Sequence, residues 1–144
     1  MKILTAHQPV YLPWMGLFQK ISLADEFVFF DEVQYQPKNW NNRNKIKFSN
    51  CKDNFLTVPV KRSGYLGKSF LDIKINNEIG WRRKHWKSLE INYSKAKYFD
   101  KYADEIREFY EIEWKYLVDL NYEMLLFFLK KLGLSIPVVR MKDY

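Results

Sequence analysis

The sequence predicts an α/β fold: a Rossmann-like opening β-α-β unit with parallel strands, an inserted β-hairpin region and a helical C-terminal half. Three observations carry this prediction. Two short apolar runs, at 2–6 and Phe27–Phe30, flank a segment whose apolar residues recur at helical spacing. Apolar and polar residues then alternate over 45–61, and long amphipathic segments fill the chain after residue 80.

Taken in order, Lys2-Ile3-Leu4-Thr5-Ala6 reads as a strand that ends at His7-Gln8-Pro9, because proline cannot continue a hydrogen-bonded ladder. After the loop Val10–Pro13, the spacing of Trp14, Leu17, Phe18, Ile21 and Ala24 predicts a helix over 14–24, with Pro13 at its start. Gly16 falls in the first turn, where a backbone or a ligand can approach closely. Phe27–Phe30, bounded by acidic pairs, suits a strand buried on both faces. Such a crossover is almost always right-handed, so both strands point their carboxyl ends the same way. Lys45–Phe48 and Phe55–Lys61 then predict a hairpin across 49–54, and Phe70, Ile73 and Ile75 suggest another strand. Helices follow at about 80–93, 96–113 and 116–132. Lys130-Lys131 and Gly133 close the last of these, and Pro137–Arg140 begins a further strand. The reading is one domain over 1–144. Because the chain stops at Tyr144 just after that strand, either the strand pairs at a sheet edge or the chain is the N-terminal portion of a longer protein.

Composition narrows the class. A chain of 144 residues and 17.6 kDa that is 47% hydrophobic, with five glycines and five prolines, is neither disordered nor collagenous. The single Cys51 excludes an internal disulfide, and with no histidine near it in sequence it makes a poor nucleophile. No segment reads as secretory or membrane-spanning, so a cytoplasmic location is expected. The two histidines stand far apart in sequence with no carboxylate at a ligand spacing, so no metal site is expected, and no cofactor is indicated. Net charge is +7, but residues 36–88 hold 13 Lys or Arg against Asp53, Asp72 and Glu78. That regional field suits an anionic partner such as a nucleotide, a nucleotide sugar or a nucleic acid, or else is a solvated face.

Ligands of parallel α/β sheets bind outside the carboxyl ends of the strands. Two such ends present polar groups here: His7-Gln8 after the first strand, and Asp31, Gln34 and Tyr35 after the second. His7 is either a general acid or base or a histidine hydrogen-bonded at a strand end. Asp31 either holds ligand hydroxyls or caps a turn. The run Asn39–Lys45 gathers four amides and two cations around Trp40, a poor core and a good surface for a sugar or phosphate, and Arg43 has the fork for a bidentate anion. Arg82, Arg83 and Lys84 crowd the first turn of a helix, where the macrodipole disfavours cations unless an anion sits there. His85 reads as part of that helix's core stripe, beside Trp81 and Leu89. The carboxylates Glu105, Glu108, Glu111 and Glu113 read as a solvated helix face.

The motif His7-Gln8-Pro9-x-Tyr11-Leu12-Pro13-Trp14-x-Gly16-x-Phe18-x-Lys20, with Asp25-x-Phe27, Asp31-x-Val33-Gln34-Tyr35, Asn42-Arg43-Asn44-x-Ile46 and Leu56–Val60, resembles the WbqC-like family. The resemblance continues through Trp81, Lys84-His85, Tyr93 and Tyr98-Phe99. It implies association with bacterial surface polysaccharide, in particular O-antigen (lipopolysaccharide) biosynthesis, and a transferase activity of the amino-acid (glycine) or acyl type. The opening unit is also similar to adenylyl-transferring Rossmann-like enzymes, although of their His-x-Gly-His signature only Gly16 stands here, in Trp14-Met15-Gly16-Leu17. The expected site therefore has His7 and Asp31 as catalytic groups. Gln8, Tyr11, Gly16, Gln34, Tyr35, Asn42, Arg43, Lys61, Arg82 and Arg83 would bind a nucleotide or nucleotide sugar. The alternatives are a nucleic-acid-binding module that stacks bases on Trp40, Trp81 and Trp86, and a scaffold subunit of a glycan-assembly complex. Donor, acceptor and oligomeric state are not legible in the sequence.

Overall fold

A computed structural model describes residues 1–48, 54–61, 63–65 and 67–143. Strand β1 (Leu4–His7), helix α1 (Met15–Ser22) and strand β2 (Glu26–Phe29) form the opening unit, with β1 and β2 parallel and His7 opposite Phe29. The third strand of this sheet comes from the far end of the chain. Strand β5, Val138–Arg140 by residue number, pairs parallel with β2, which gives the order β1-β2-β5. The central position of β2 explains its composition, since Phe27, Val28 and Phe29 are buried whereas β1 alternates.

Strands β3 (Arg43–Ile46) and β4 (Asn54–Thr57) form the antiparallel hairpin, with Arg43 opposite Thr57. The connecting turn, and with it Cys51, lies outside the described residues. The strand expected at Phe70–Ile75 is absent. Ser69 Oγ accepts from the Leu71 amide at 3.3 Å and starts a 3₁₀ turn over Phe70–Asp72, after which Lys74 and Ile75 make only isolated bridges to Tyr116 and Val60. Local side-chain capping there outcompetes the ladder.

Helices α2 (Trp81–Tyr93), α3 (Phe99–Glu111) and α4 (Leu117–Lys131) complete the chain. The end of α4 is fixed by Gly133, whose φ of 70° permits the paired bonds Leu134 N–H to Leu129 O (2.9 Å) and Gly133 N–H to Lys130 O (3.1 Å). One buried cluster joins α1, both sheets and α4, and includes Phe18, Phe29, Val58, Phe70 and Leu120. No helix is long and apolar enough to cross a membrane among the described residues.

Candidate functional site

Pro9 ends β1 because it has no amide proton, and the backbone turns away with its carbonyl accepting from Asn41 Nδ2 at 2.7 Å. His7 is held to the sheet by the Phe30 amide, which donates to its carbonyl at 2.9 Å. Beyond this edge lies a crevice of about 380 Å³ lined by His7, Gln8, Trp14, Asn39, Trp40 and neighbouring residues. His7 Nδ1 lies 2.8 Å from the Gln8 carbonyl oxygen, which can only accept. In the neutral ring the proton therefore sits on Nδ1 and Nε2 carries the lone pair: the tautomer a general base needs.

Trp14 and Trp40 wall this crevice. The Trp14 ring meets His7 edge-on at 5.6 Å and Trp40 at 6.4 Å, and both indoles remain about two-fifths exposed. Helical spacing had placed Trp14 on the core stripe of α1. It lies instead just before the first turn with an extended backbone, while Leu17, Phe18, Ile21 and Ala24 alone fill the core. Gly16 is explained by the same ring, since a Cβ there would stand 3.1 Å from Trp14 Nε1 and 3.2 Å from Cδ1. The close approach that Gly16 permits is made by an indole.

A second and larger cleft, of about 810 Å³, opens beside β3 and is lined by Tyr35, Lys38, Asn42, Arg43, Thr57 and Tyr65, among others. Burial pushes the Tyr35 phenol up to about 12, helped by the neighbouring Tyr65 and opposed by the Arg43 guanidinium, so Tyr35 is neutral throughout the physiological range. The Arg43 guanidinium lies 4.5 Å from the centre of the Phe55 ring.

The remaining expected residues fall elsewhere. Asp31 is fully buried: one oxygen receives Arg140 Nε at 2.7 Å and the other the Lys142 amide at 3.2 Å, so it anchors β5 and is closed to a ligand. Tyr11 is also fully buried and lines neither cleft. Its hydroxyl lies 2.8 Å from both His85 Nδ1 and the Tyr110 hydroxyl. Because His85 Nε2 faces the Thr57 carbonyl at 3.2 Å, the proton order follows: Tyr110 donates to Tyr11, Tyr11 to Nδ1, and Nε2 to Thr57. Burial lowers His85 to about 4, so this internal chain is neutral at physiological pH. The amide-rich run is largely structural, with Asn41, Asn42 and Asn44 buried and donating to the carbonyls of Pro9, Val58, and Tyr11 and Leu12. Tight loops leave carbonyls facing inward, and short amides reach them.

Gln34 makes an isolated bridge to Ser69, and Lys61 lies on a separate groove with Lys74 and Lys115, 4.0 Å from Glu78. Arg82 donates to the Glu111 carbonyl at 2.9 Å and meets Glu113 at 3.4 Å, so the charge missing from the start of α2 is supplied by the end of α3. Arg83 lines a further groove together with Arg82, Trp86 and Glu111. Trp81 is buried against His85, and Trp86 stacks on Phe99, so neither ring is free to receive a base. Among the described residues no three His, Cys, Asp or Glu side chains gather as metal ligands. The cleft residue that sequence reasoning missed is Lys38, which bears a positive φ of 63°, a strain that spacing does not reveal.

These features define an α/β protein with a three-stranded parallel sheet and a polar, tryptophan-walled crevice at its carboxyl edge. The chain belongs to the WbqC-like protein family, which matches residues 8–144. It is 35% identical over its whole length to the uncharacterized protein Rv1507c of Mycobacterium tuberculosis, and it spans 62% of that relative's length. No solved structure matches it.

Proposed function

We propose that this chain forms the sugar-binding part of a transferase of bacterial surface polysaccharide biosynthesis, with an activated sugar seated in the crevice beyond β1 and β2. The observation that carries this reading is the His7 ring, its Nδ1 proton committed to the Gln8 carbonyl, beside two exposed tryptophans. Flat aromatic faces with a few fixed polar groups suit a sugar ring or a nucleobase. Gln8 and Asn39 supply hydrogen bonds to hydroxyls at the same rim. His7 Nε2 then takes the proton of an acceptor hydroxyl or amine as that atom attacks the activated centre, and the leaving group departs with its electron pair. The family relation supports the polysaccharide setting.

Isothermal titration with UDP-, GDP- and TDP-linked sugars and with ATP tests the binding. One of them is expected to saturate, Trp14→Ala to weaken it at least tenfold, and His7→Ala to leave binding within about threefold while abolishing nucleotide release in the presence of an acceptor. Binding of none, or turnover that survives His7→Ala, refutes the reading.

A further inference from the structure

Asn42 and Arg43 leave two buried polar atoms unsatisfied side by side in the chain. Asn42 Nδ2 donates to the Val58 carbonyl at 2.9 Å, but its Oδ1 has no partner among the described residues, and neither does Arg43 Nε. Asn42 is only 6% exposed, so its free oxygen has no ready access to water. Buried polar groups are rarely left unpaired, and two neighbours of opposite hydrogen-bonding sense beside one cleft call for a cause. Arg43, like Arg83, also lacks a carboxylate within ion-pair distance among the described residues, whereas Arg82, Arg107 and Arg140 each face one. Among the described residues, a cation without a carboxylate partner and an open volume of about 810 Å³ occupy the same place.

From this we infer a second ligand site, separate from the His7 crevice, that binds a sugar-sized hydroxylated anion: its phosphate or carboxylate on the outer guanidinium nitrogens of Arg43 and its hydroxyls among the polar lining residues Asn42, Thr57 and Asn76. The outer nitrogens of the Arg43 guanidinium supply charge-assisted donors, and the Phe55 ring holds the group in place without neutralising it. Lys38, at the rim in a left-handed conformation, adds a second positive charge. The volume exceeds what an inorganic ion fills and falls in the range of small-molecule sites. Asn41 lines the crevice and the next two residues line this cleft, so one short segment borders both sites. The inference stands without the crevice reading, because none of its atoms belongs to His7, Gln8, Trp14 or Trp40.

Isothermal titration with glucose 1-phosphate, glucuronate, glucose and inorganic phosphate tests it, the first two arms separating phosphate from carboxylate. At least one of the two sugar acids is expected to saturate, with glucose and inorganic phosphate at least tenfold weaker. Arg43→Gln should weaken binding at least tenfold. Lys38→Asn, at an exposed position whose left-handed backbone asparagine tolerates, should weaken it about threefold without touching the core. His7→Ala should leave it unchanged. No saturation by either sugar acid, equal binding of glucose or inorganic phosphate, indifference to both Arg43→Gln and Lys38→Asn, or loss with His7→Ala would each overturn the site. Failure of the nucleotide-sugar titration with this site intact would overturn only the crevice reading.

Discussion

Acidification should unfold this protein through His85 in a way that can be worked out from its surroundings. The ring is 5% exposed and enclosed by Tyr11, Trp81 and Tyr110, with a tyrosine hydroxyl on one nitrogen and a carbonyl on the other. No carboxylate faces it in these contacts, so nothing offsets the desolvation of an imidazolium, and its folded value falls from 6.5 to about 4. The folded state thus binds the proton less readily than the unfolded chain. The stability this confers is complete above about pH 6.5 and is lost as pH falls towards 4. Linkage over that interval gives a loss of about 2 kcal/mol by about pH 5 and about 3 kcal/mol by about pH 4, a large share of a small protein's stability. Urea unfolding of the wild type and of His85→Gln at several pH values isolates the effect, because the difference between them cancels the carboxylates and His7. The wild-type advantage should shrink by about 3 kcal/mol between about pH 7.5 and 4. A difference that stays constant across this range would show that His85 is not held neutral by burial, and would refute the proton order assigned to the Tyr110–Tyr11–His85 chain.

Two further outcomes follow from single contacts. Arg140→Gln removes the charged partner of the fully buried Asp31 carboxylate and leaves it only the Lys142 amide. It should cost about 3 kcal/mol in urea unfolding and expose the Val138–Arg140 amides to rapid hydrogen exchange, whereas retained protection would show that β5 does not depend on the ion pair. Gly16→Ala gains helix propensity of up to about 1 kcal/mol but pushes a Cβ against the Trp14 indole. Thermal stability should hold or rise while tryptophan fluorescence shifts and crevice affinity drops, and an unchanged spectrum would show that Trp14 does not rest on Gly16.

The opening β-α-β unit was legible because its signals are local: an apolar run, a helical period and a proline that cannot join a ladder. So was the end of α4, where Gly133 has the left-handed φ that the stop requires. The Phe70–Ile75 segment was misread because alternation alone does not reveal that Ser69 caps a turn. At the site, His7 and Gln8 were legible from strand polarity and Arg43 from its composition. Asp31 and Tyr11 were not, for a common reason. Each is engaged by residues 74 to 111 positions away, His85, Tyr110, Arg140 and Lys142, and a polar side chain reads alike in sequence whether its partner is a ligand or the protein.

The buried amides show how that ambiguity resolves in this fold. Asn121 on α4 donates to the Asn41 carbonyl at 2.8 Å, and Asn41 donates in turn to the Pro9 carbonyl, so α4 is tied through one side chain to the loop that follows His7 and Gln8. Asn44 fixes the same loop from β3 through the carbonyls of Tyr11 and Leu12, the latter a residue with a positive φ of 48°. A strained backbone persists only where its surroundings determine it, and here the surroundings are asparagines of the 41–44 segment. That segment therefore holds the His7 loop in shape while its Asn42 and Arg43 line the larger cleft.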